Sequence, residues 1–214
     1  MLVTKPAPEF TATAVMGDNS FKEINLSDYR GKKVVLFFYP FDFTFVCPTE
    51  ILAFNHRLAE FKKRGVEILG CSIDSHHVHL AWKSVDVNKG GIGDIKFPLI
   101  ADTDKSIARA YDVLLDTEAA TVITEDEETE TTIGGSKALR ASFLIDEDGV
   151  IAHSVINNLD LGRNIDEMIR MVDALAFQQK HGQVCPAGWK EGDQGMTDTK
   201  AGVADYLSKN ADKL

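Results

Sequence analysis

The sequence predicts an α/β domain, a central mixed β-sheet flanked by helices, continued by an extended C-terminal tail. Three observations predict it. Continuous β-branched and aromatic runs alternate with stretches of helical periodicity. A D-G step separates two apolar runs, as in a β-hairpin. Beyond about Gln179, closely spaced Gly and Pro residues break up regular structure.

Taken in order, Val34-Val35-Leu36-Phe37-Phe38-Tyr39 reads as a central strand buried on both faces. Ile51, Phe54, Leu58 and Phe61 then recur at helical spacing, giving a helix that ends at Gly65. Val66 to Ile73 is the next strand, and Asp74-Ser75 caps a helix from about His76 to Val87. Phe97 to Ile100 is a short strand, and Asp102-Thr103-Asp104 opens a helix toward Tyr111. Ala141–Ile145 and Val150–Ile156 pair across Asp146-Glu147-Asp148-Gly149. Asn164 followed by Glu167 marks a helix start. Behind it Ile165, Met168, Ile169, Val172 and Leu175 form an apolar stripe, read as core or interface. A last helical pattern covers Val203 to Ser208. Residues 1–164 make the main domain and residues 165–214 a helix and tail.

Composition narrows the function. The chain has 214 residues and a net charge of -10, which repels a phosphate backbone and argues against nucleic acid as a partner. The longest apolar run is far shorter than the roughly 20 residues a bilayer-spanning helix takes, so no membrane segment is expected. The N-terminus shows no secretory pattern, which makes the cytoplasm the expected compartment. Asp116 to Glu130 holds seven acids and no Lys or Arg, and reads as a solvated surface excursion. His76, His77 and His79 read as the first turns of a surface helix; their spacing does not by itself close a metal site.

The three cysteines, Cys47, Cys71 and Cys185, make neither a disulfide framework nor a C-x-x-C pair. In a reducing compartment, cysteines that do form disulfides tend to be transient and catalytic. Cys47 follows the central strand and precedes Pro48, which suits the first turn of a helix. Free N–H groups and the positive end of the helix dipole there favour a thiolate, and Thr44 sits one turn upstream. A buried structural cysteine before a helix-starting proline fits these residues equally well. Cys185, in the Gly-rich tail, is expected to be exposed and mobile, either as a resolving thiol or as an incidental surface cysteine. Cys71 lies among apolar strand residues and reads as structural.

The segment Phe38-Tyr39-Pro40-Phe41-Asp42-Phe43-Thr44-Phe45-Val46-Cys47-Pro48-Thr49-Glu50 resembles the active-site signature of the typical 2-Cys peroxiredoxins, the family of the bacterial alkyl hydroperoxide reductase peroxidase subunit. Its Pro-x-x-x-Thr-x-x-Cys pattern is met by Pro40, Thr44 and Cys47. His181 to Trp189 is similar to the segment around that family's resolving cysteine, here Cys185. Leu139 to Asp146 and Gly162 to Glu167 resemble its two arginine-bearing segments, here Arg140 and Arg163. The stretch between Leu115 and Lys137, with the acidic run, is longer than the family's usual connection.

The resemblance implies a thioredoxin-like fold and a thiol-dependent peroxidase with no cofactor or metal. It implies that Cys47 reduces hydrogen peroxide or an organic hydroperoxide and becomes a sulfenic acid, which Cys185 of the partner subunit resolves. Thr44 and Arg140 would position and polarise the peroxide, Pro40 would exclude water, and Glu50 and Arg163 would orient Arg140. Thioredoxin or a flavoprotein disulfide reductase would supply electrons, and the homodimer would assemble into a decamer. A redox-regulated holdase chaperone or peroxide-sensing relay on the same oligomer is the alternative. Gly90-Gly91-Ile92-Gly93 resembles one feature of members prone to over-oxidation, and Tyr206-Leu207 matches the second only in part, implying intermediate sensitivity.

Overall fold

The computed structural model describes residues 1–116, 120–124, 127–133 and 135–213, with side chains for 1–116 and 135–212. The chain divides into two units, Met1–Arg163 and Asn164–Leu214. The first is built on a seven-stranded sheet. Its strands are β1 (Thr11–Val15), β2 (Phe21–Asn25), β3 (Lys33–Phe38), β4 (Val66–Ser72), β5 (Leu99–Ala101), β10 (Arg140–Ile145) and β11 (Ile151–Asn157), in the order β11-β10-β3-β4-β5-β1-β2. The strands β3, β4 and β5 run parallel, while β10 joins β3 and β1 joins β5 antiparallel. Short pairs complete the unit: β6 (Leu114–Leu115) with β9 (Lys137–Ala138), and β7 (Ala120–Thr124) with β8 (Glu127–Ile133). The last pair overlaps the acidic run; the side chains from 117 to 134, and with them the surface reading, lie outside the described residues.

Every residue of β3 is buried, as its unbroken apolar run requires of a strand covered on both faces. Behind it Leu36, Phe38, Leu69, Cys71, Ile100, Tyr111 and Phe143 share one core cluster. On the other face Phe37 stacks on Phe54 at 4.3 Å and meets Phe97 edge-on at 5.7 Å. Phe54 lies on α1 (Cys47–His56), so this stack ties the helix that begins at Cys47 directly to the central strand.

Four local differences from the sequence reading have physical causes. The long helix expected after Cys47 is two, α1 and α2 (Leu58–Lys63), because the turn tightens at Arg57, whose N–H reaches the Phe54 carbonyl at 3.1 Å. Ile51, Phe54, Leu58 and Phe61 are nevertheless all buried, so the apolar stripe crosses the break. The next helix, α3 (His76–Lys83), is shorter than expected and gives way to a 3₁₀ turn at Val87–Lys89. The helix after Asp102 starts late, as α4 (Ser106–Ala110), with the Asp102 carboxylate accepting from the N–H groups of Ile107 and Ala108. The hairpin of β1 and β2 had no clear signal, since neither Thr11–Val15 nor Phe21–Asn25 carries a strong apolar run.

The surface-helix reading of the histidines fails for His79. It is fully buried, on the same face of α3 as buried Trp82 and Lys83. His77 is exposed and His76 half-buried, with both rings packing edge-on to Phe21. Among the described residues no cluster of His, Cys, Asp or Glu is arranged to hold a metal, and no helix is long and apolar enough to cross a membrane.

The second unit holds α5 (Ile165–His181), a loop containing Cys185, and α6 (Lys200–Asn210). Asn164 caps α5 by accepting from the N–H of Asp166, and Gly182 closes it at φ 63°, a backbone that a side chain would strain. Ile165, Met168 and Val172 of the predicted stripe are buried; Ile169 and Leu175 are half-buried.

Candidate active site

Strand β3 delivers the chain, through buried Tyr39 and Pro40, into the loop that ends at α1. Cys47 is the first residue of α1, with Pro48 behind it, and its side chain is fully buried. Two donors aim at its sulfur: the Thr44 hydroxyl at 2.9 Å and Arg140 Nη1 at 3.2 Å. The Thr44 oxygen also lies 2.9 Å from the Phe41 carbonyl, so its single proton has two destinations, sulfur or carbonyl. Phe43 holds the intervening turn at φ 54°, with its ring against Trp82 at 5.7 Å.

Arg140 opens β10, which pairs beside β3. Its Nη1 also donates to Glu50 Oε2 at 2.8 Å, and its Nε donates to the Leu159 carbonyl at 2.5 Å. Glu50 stands three residues after Cys47 and is itself buried. Arg163 grips the same carboxylate with Nε and Nη2, each at 2.8 Å, and its backbone N–H adds a third bond at 2.9 Å. The remaining Arg163 nitrogen donates to the Phe38 and Ala141 carbonyls, which fixes the guanidinium to β3 and β10. Burial pushes the Glu50 carboxyl up, but the hydrogen bonds and charge of Arg163, with Arg140, outweigh it and hold the group below the usual carboxylate range. Burial pulls the Arg140 guanidinium down, yet Cys47 and Glu50 more than restore it. Five of the residues singled out in the sequence, Thr44, Cys47, Glu50, Arg140 and Arg163, thus form one connected group, and Pro40, two residues past the end of β3, is buried.

Cys185 belongs to the second unit. It is half-buried rather than exposed, and its thiol faces the Ala174 carbonyl of α5 at 3.5 Å. Burial pushes this thiol up, and the nearby Arg170 charge pulls it partly back. Cys71 is fully buried in β4, where burial and then the Asp102 charge push its thiol well above the ordinary range. All three cysteines are free thiols.

Sequence reasoning missed a buried polar network beneath the loop. Tyr39 donates to Asp42 Oδ1 at 2.8 Å, and His79 Nδ1 lies 2.7 Å from Asp42 Oδ2, with its other ring nitrogen 3.2 Å from the Ile100 carbonyl. The Asp42 N–H donates to Asp74, which also accepts from Ser72. Burial raises the Asp42 carboxyl, and the His79 bond offsets this in part. The helical spacing of His79 with Trp82 was the available signal. The Leu159 carbonyl, which aims Arg140, had none, because a backbone acceptor leaves no trace in residue type.

Comparison with known proteins agrees with this geometry. A family model described as AhpC/TSA matches residues 3–154, and one described as the C-terminal domain of 1-Cys peroxiredoxin matches residues 174–209. The alkyl hydroperoxide reductase C of Helicobacter pylori strain J99 is 53% identical over 216 residues, spanning all of both chains. A mitochondrial thioredoxin-dependent peroxide reductase of Drosophila melanogaster is 48% identical over 187 residues, 87% of this chain and 72% of that one. The crystal structure of a reduced 2-Cys peroxiredoxin of Plasmodium vivax superposes with a TM-score of 0.86 at 47% identity, covering 97% of this chain and 99% of its own. A buried cysteine at a helix N-terminus, held by a threonine and an arginine, thus stands in a chain that belongs to the AhpC/TSA family and is a 2-Cys peroxiredoxin of thioredoxin-like fold.

Proposed function

We propose that this peroxiredoxin performs its thiol-dependent peroxidase chemistry with Cys47 as nucleophile and Cys185 as resolving thiol. The observation that carries the reading is the pair of donors on Cys47 Sγ, Thr44 at 2.9 Å and Arg140 at 3.2 Å, at the N-terminus of α1. The Cys47 thiolate attacks the terminal oxygen of a hydroperoxide. The O–O bond breaks, the departing oxygen takes the peroxide proton and leaves as water or an alcohol, and sulfur is left as a sulfenate that takes one proton from solvent to become the sulfenic acid. Arg140 steadies sulfur and the charge that develops on the departing oxygen. Thr44 turns its proton to the Phe41 carbonyl and accepts from the entering peroxide, lining it up with sulfur. Buried Pro40 keeps water from that approach, and Glu50 with Arg163 holds the Arg140 fork in place.

Cys185 of the partner subunit then attacks the sulfenic acid. A disulfide forms, and the Cys185 proton leaves with the sulfenic hydroxyl as water. Thioredoxin or a flavoprotein disulfide reductase reduces the disulfide in the cytoplasm, and the dimers associate into decamers. Likeness to a relative named thioredoxin-dependent supports the first of these donors.

Peroxide consumption coupled to a thioredoxin system, run against hydrogen peroxide and an organic hydroperoxide in parallel, tests the reading. Turnover with both peroxides that is abolished in Cys47→Ser supports it. Undiminished turnover in Cys47→Ser overturns it.

A further inference from the structure

The loop that carries Cys185 is fastened to α5 at three points one helical turn apart. Arg170 Nη1 donates to the Trp189 carbonyl at 2.8 Å. The Cys185 thiol donates to the Ala174 carbonyl at 3.5 Å. The Trp189 ring, itself buried, packs on Phe177 at 4.8 Å. Residues 170, 174 and 177 share one face of the helix. Within the loop, the Trp189 indole N–H donates to the Asp193 carbonyl at 3.1 Å, and Val184 bridges Met196.

Of the three fastenings, the arginine is the most firmly built. Glu167, one turn earlier, takes the guanidinium in both carboxylate oxygens, from Nε at 2.6 Å and from Nη2 at 2.7 Å. This fork leaves Nη1 aimed at the Trp189 carbonyl. The Cys185 contact, by contrast, is a long bond from a weak donor. A carbonyl oxygen facing the sulfur accepts from a thiol and repels a thiolate, so the fastened loop holds Cys185 in its less reactive form.

We propose that Arg170 is a positioning residue for the resolving step: its guanidinium latches the Trp189 carbonyl to α5 and thereby sets how readily Cys185 leaves the helix. This rests on the reading of Cys185 as the resolving thiol. The latch is a brake. While it is closed the Cys47 sulfenic acid waits, and a second peroxide converts it to sulfinic acid with loss of water. Opening the latch shortens the wait.

The test is alkylation of the full-length reduced protein, with each cysteine followed by peptide mass. Buried Cys71 serves as the internal monitor of global unfolding. Losing one charge-assisted hydrogen bond shifts the fastened-to-free ratio about tenfold, so Arg170→Met is expected to label at Cys185 about tenfold faster while Cys71 stays protected. Arg170→Lys keeps the charge but loses the fork, and is expected to approach the Met variant. The same variants are expected to accumulate less Cys47 sulfinic acid at a given peroxide concentration.

The Arg170 charge pulls the Cys185 thiol down, so a purely electrostatic role predicts slower labelling in Arg170→Met and parent-like labelling in Arg170→Lys. Either result, or unchanged labelling in both, overturns the latch. If Cys71 is labelled in the Arg170 variants, the decision passes to Glu167→Gln. That change leaves the arginine but loosens its fork; labelling a few times faster supports the latch, and parent-like labelling overturns it. A disulfide that still forms in Cys185→Ser would instead remove the resolving-thiol reading, while the labelling rates continue to judge the latch.

Discussion

Arg140 is the residue whose chemistry depends most on shape. Its Nη1 reaches Cys47 Sγ and Glu50 Oε2 together while Nε is tied to Leu159, a division of labour that needs a planar fork. Arg140→Lys keeps the charge and loses this arrangement. The expected outcome is a fall of about a hundredfold in the second-order rate constant with peroxide, the scale of losing one preorganised donor; stopped-flow oxidation of Cys47 measures it, and a near-parental rate would move the role elsewhere. Glu50 is the counter-charge for both arginines and is buried with them. Glu50→Gln is expected to lower stability at neutral pH by about 3–5 kcal/mol, because two cations are left without their carboxylate. The pH dependence has a definite sign. The folded Glu50 carboxyl titrates below its ordinary value of 4.5, so its contribution is complete above that pH and is lost as pH falls through the folded value. Urea unfolding of parent and variant at several pH values should therefore show the gap between them closing below pH 4.5. A constant gap would show that Glu50 acts by packing alone.

The elements place these residues through one contact layer. Phe37 on β3 lies between Gly70 on β4 and Phe54 on α1, so the helix carrying Cys47 is registered to the sheet by aromatic stacking. A Cβ added at Gly70 would stand 2.8 Å from Leu99 Cδ2 and 2.9 Å from Phe37 Cζ. The Gly70 backbone is not left-handed, so Gly70→Ala tests packing rather than strain. It is expected to cost about 1–3 kcal/mol by overpacking, and to slow Cys47 oxidation as Phe37 is pushed against Phe54. Denaturant midpoints with unchanged slope check the first, and unaltered stability would mean that the layer has slack. This layer was half legible in the sequence. The unbroken run Val34–Tyr39 declared a buried central strand, and Ile51, Phe54, Leu58 and Phe61 declared the face that covers it. The break at Arg57 was not legible, because the apolar spacing continues across it. Thr44 and Cys47 were legible as a turn-and-helix pair, whereas Arg140 and Arg163, distant in sequence, could be joined to them only through family resemblance. His79 looked like surface because its two neighbours are histidines; only the packing of α3 on the sheet shows which of the three turns inward.

At the scale of the whole molecule, the two thiols of the proposed cycle belong to different units of the chain, Cys47 to Met1–Arg163 and Cys185 to Asn164–Leu214. Each is withdrawn in the reduced state, Cys47 by complete burial and Cys185 by its hold on the Ala174 carbonyl. A sulfur–sulfur bond of about 2 Å, with Cβ atoms about 4 Å apart, therefore requires that the first turn of α1 and the Cys185 loop both give up native contacts. The contacts such local unfolding breaks include the two donors at Cys47, the Glu50 bonds in the same turn of α1, and the fastenings of the Cys185 loop on α5. In the proposed cycle the bond joins two subunits. The expected outcome is that the protein oxidised with one equivalent of peroxide migrates on a non-reducing gel at about twice the 23.6 kDa of one chain, and that thiol reductant returns it to the monomer position. Cys47→Ser and Cys185→Ser should each abolish the linked species. Cys71→Ser should not, since that thiol is sealed in β4 and burial keeps it from ionising. Tryptic mapping of the linked band should show Cys47 joined to Cys185. An oxidised product that contains the same peptide pair but migrates only as a monomer would make the bridge intrachain, and resolution would then be an event within one subunit.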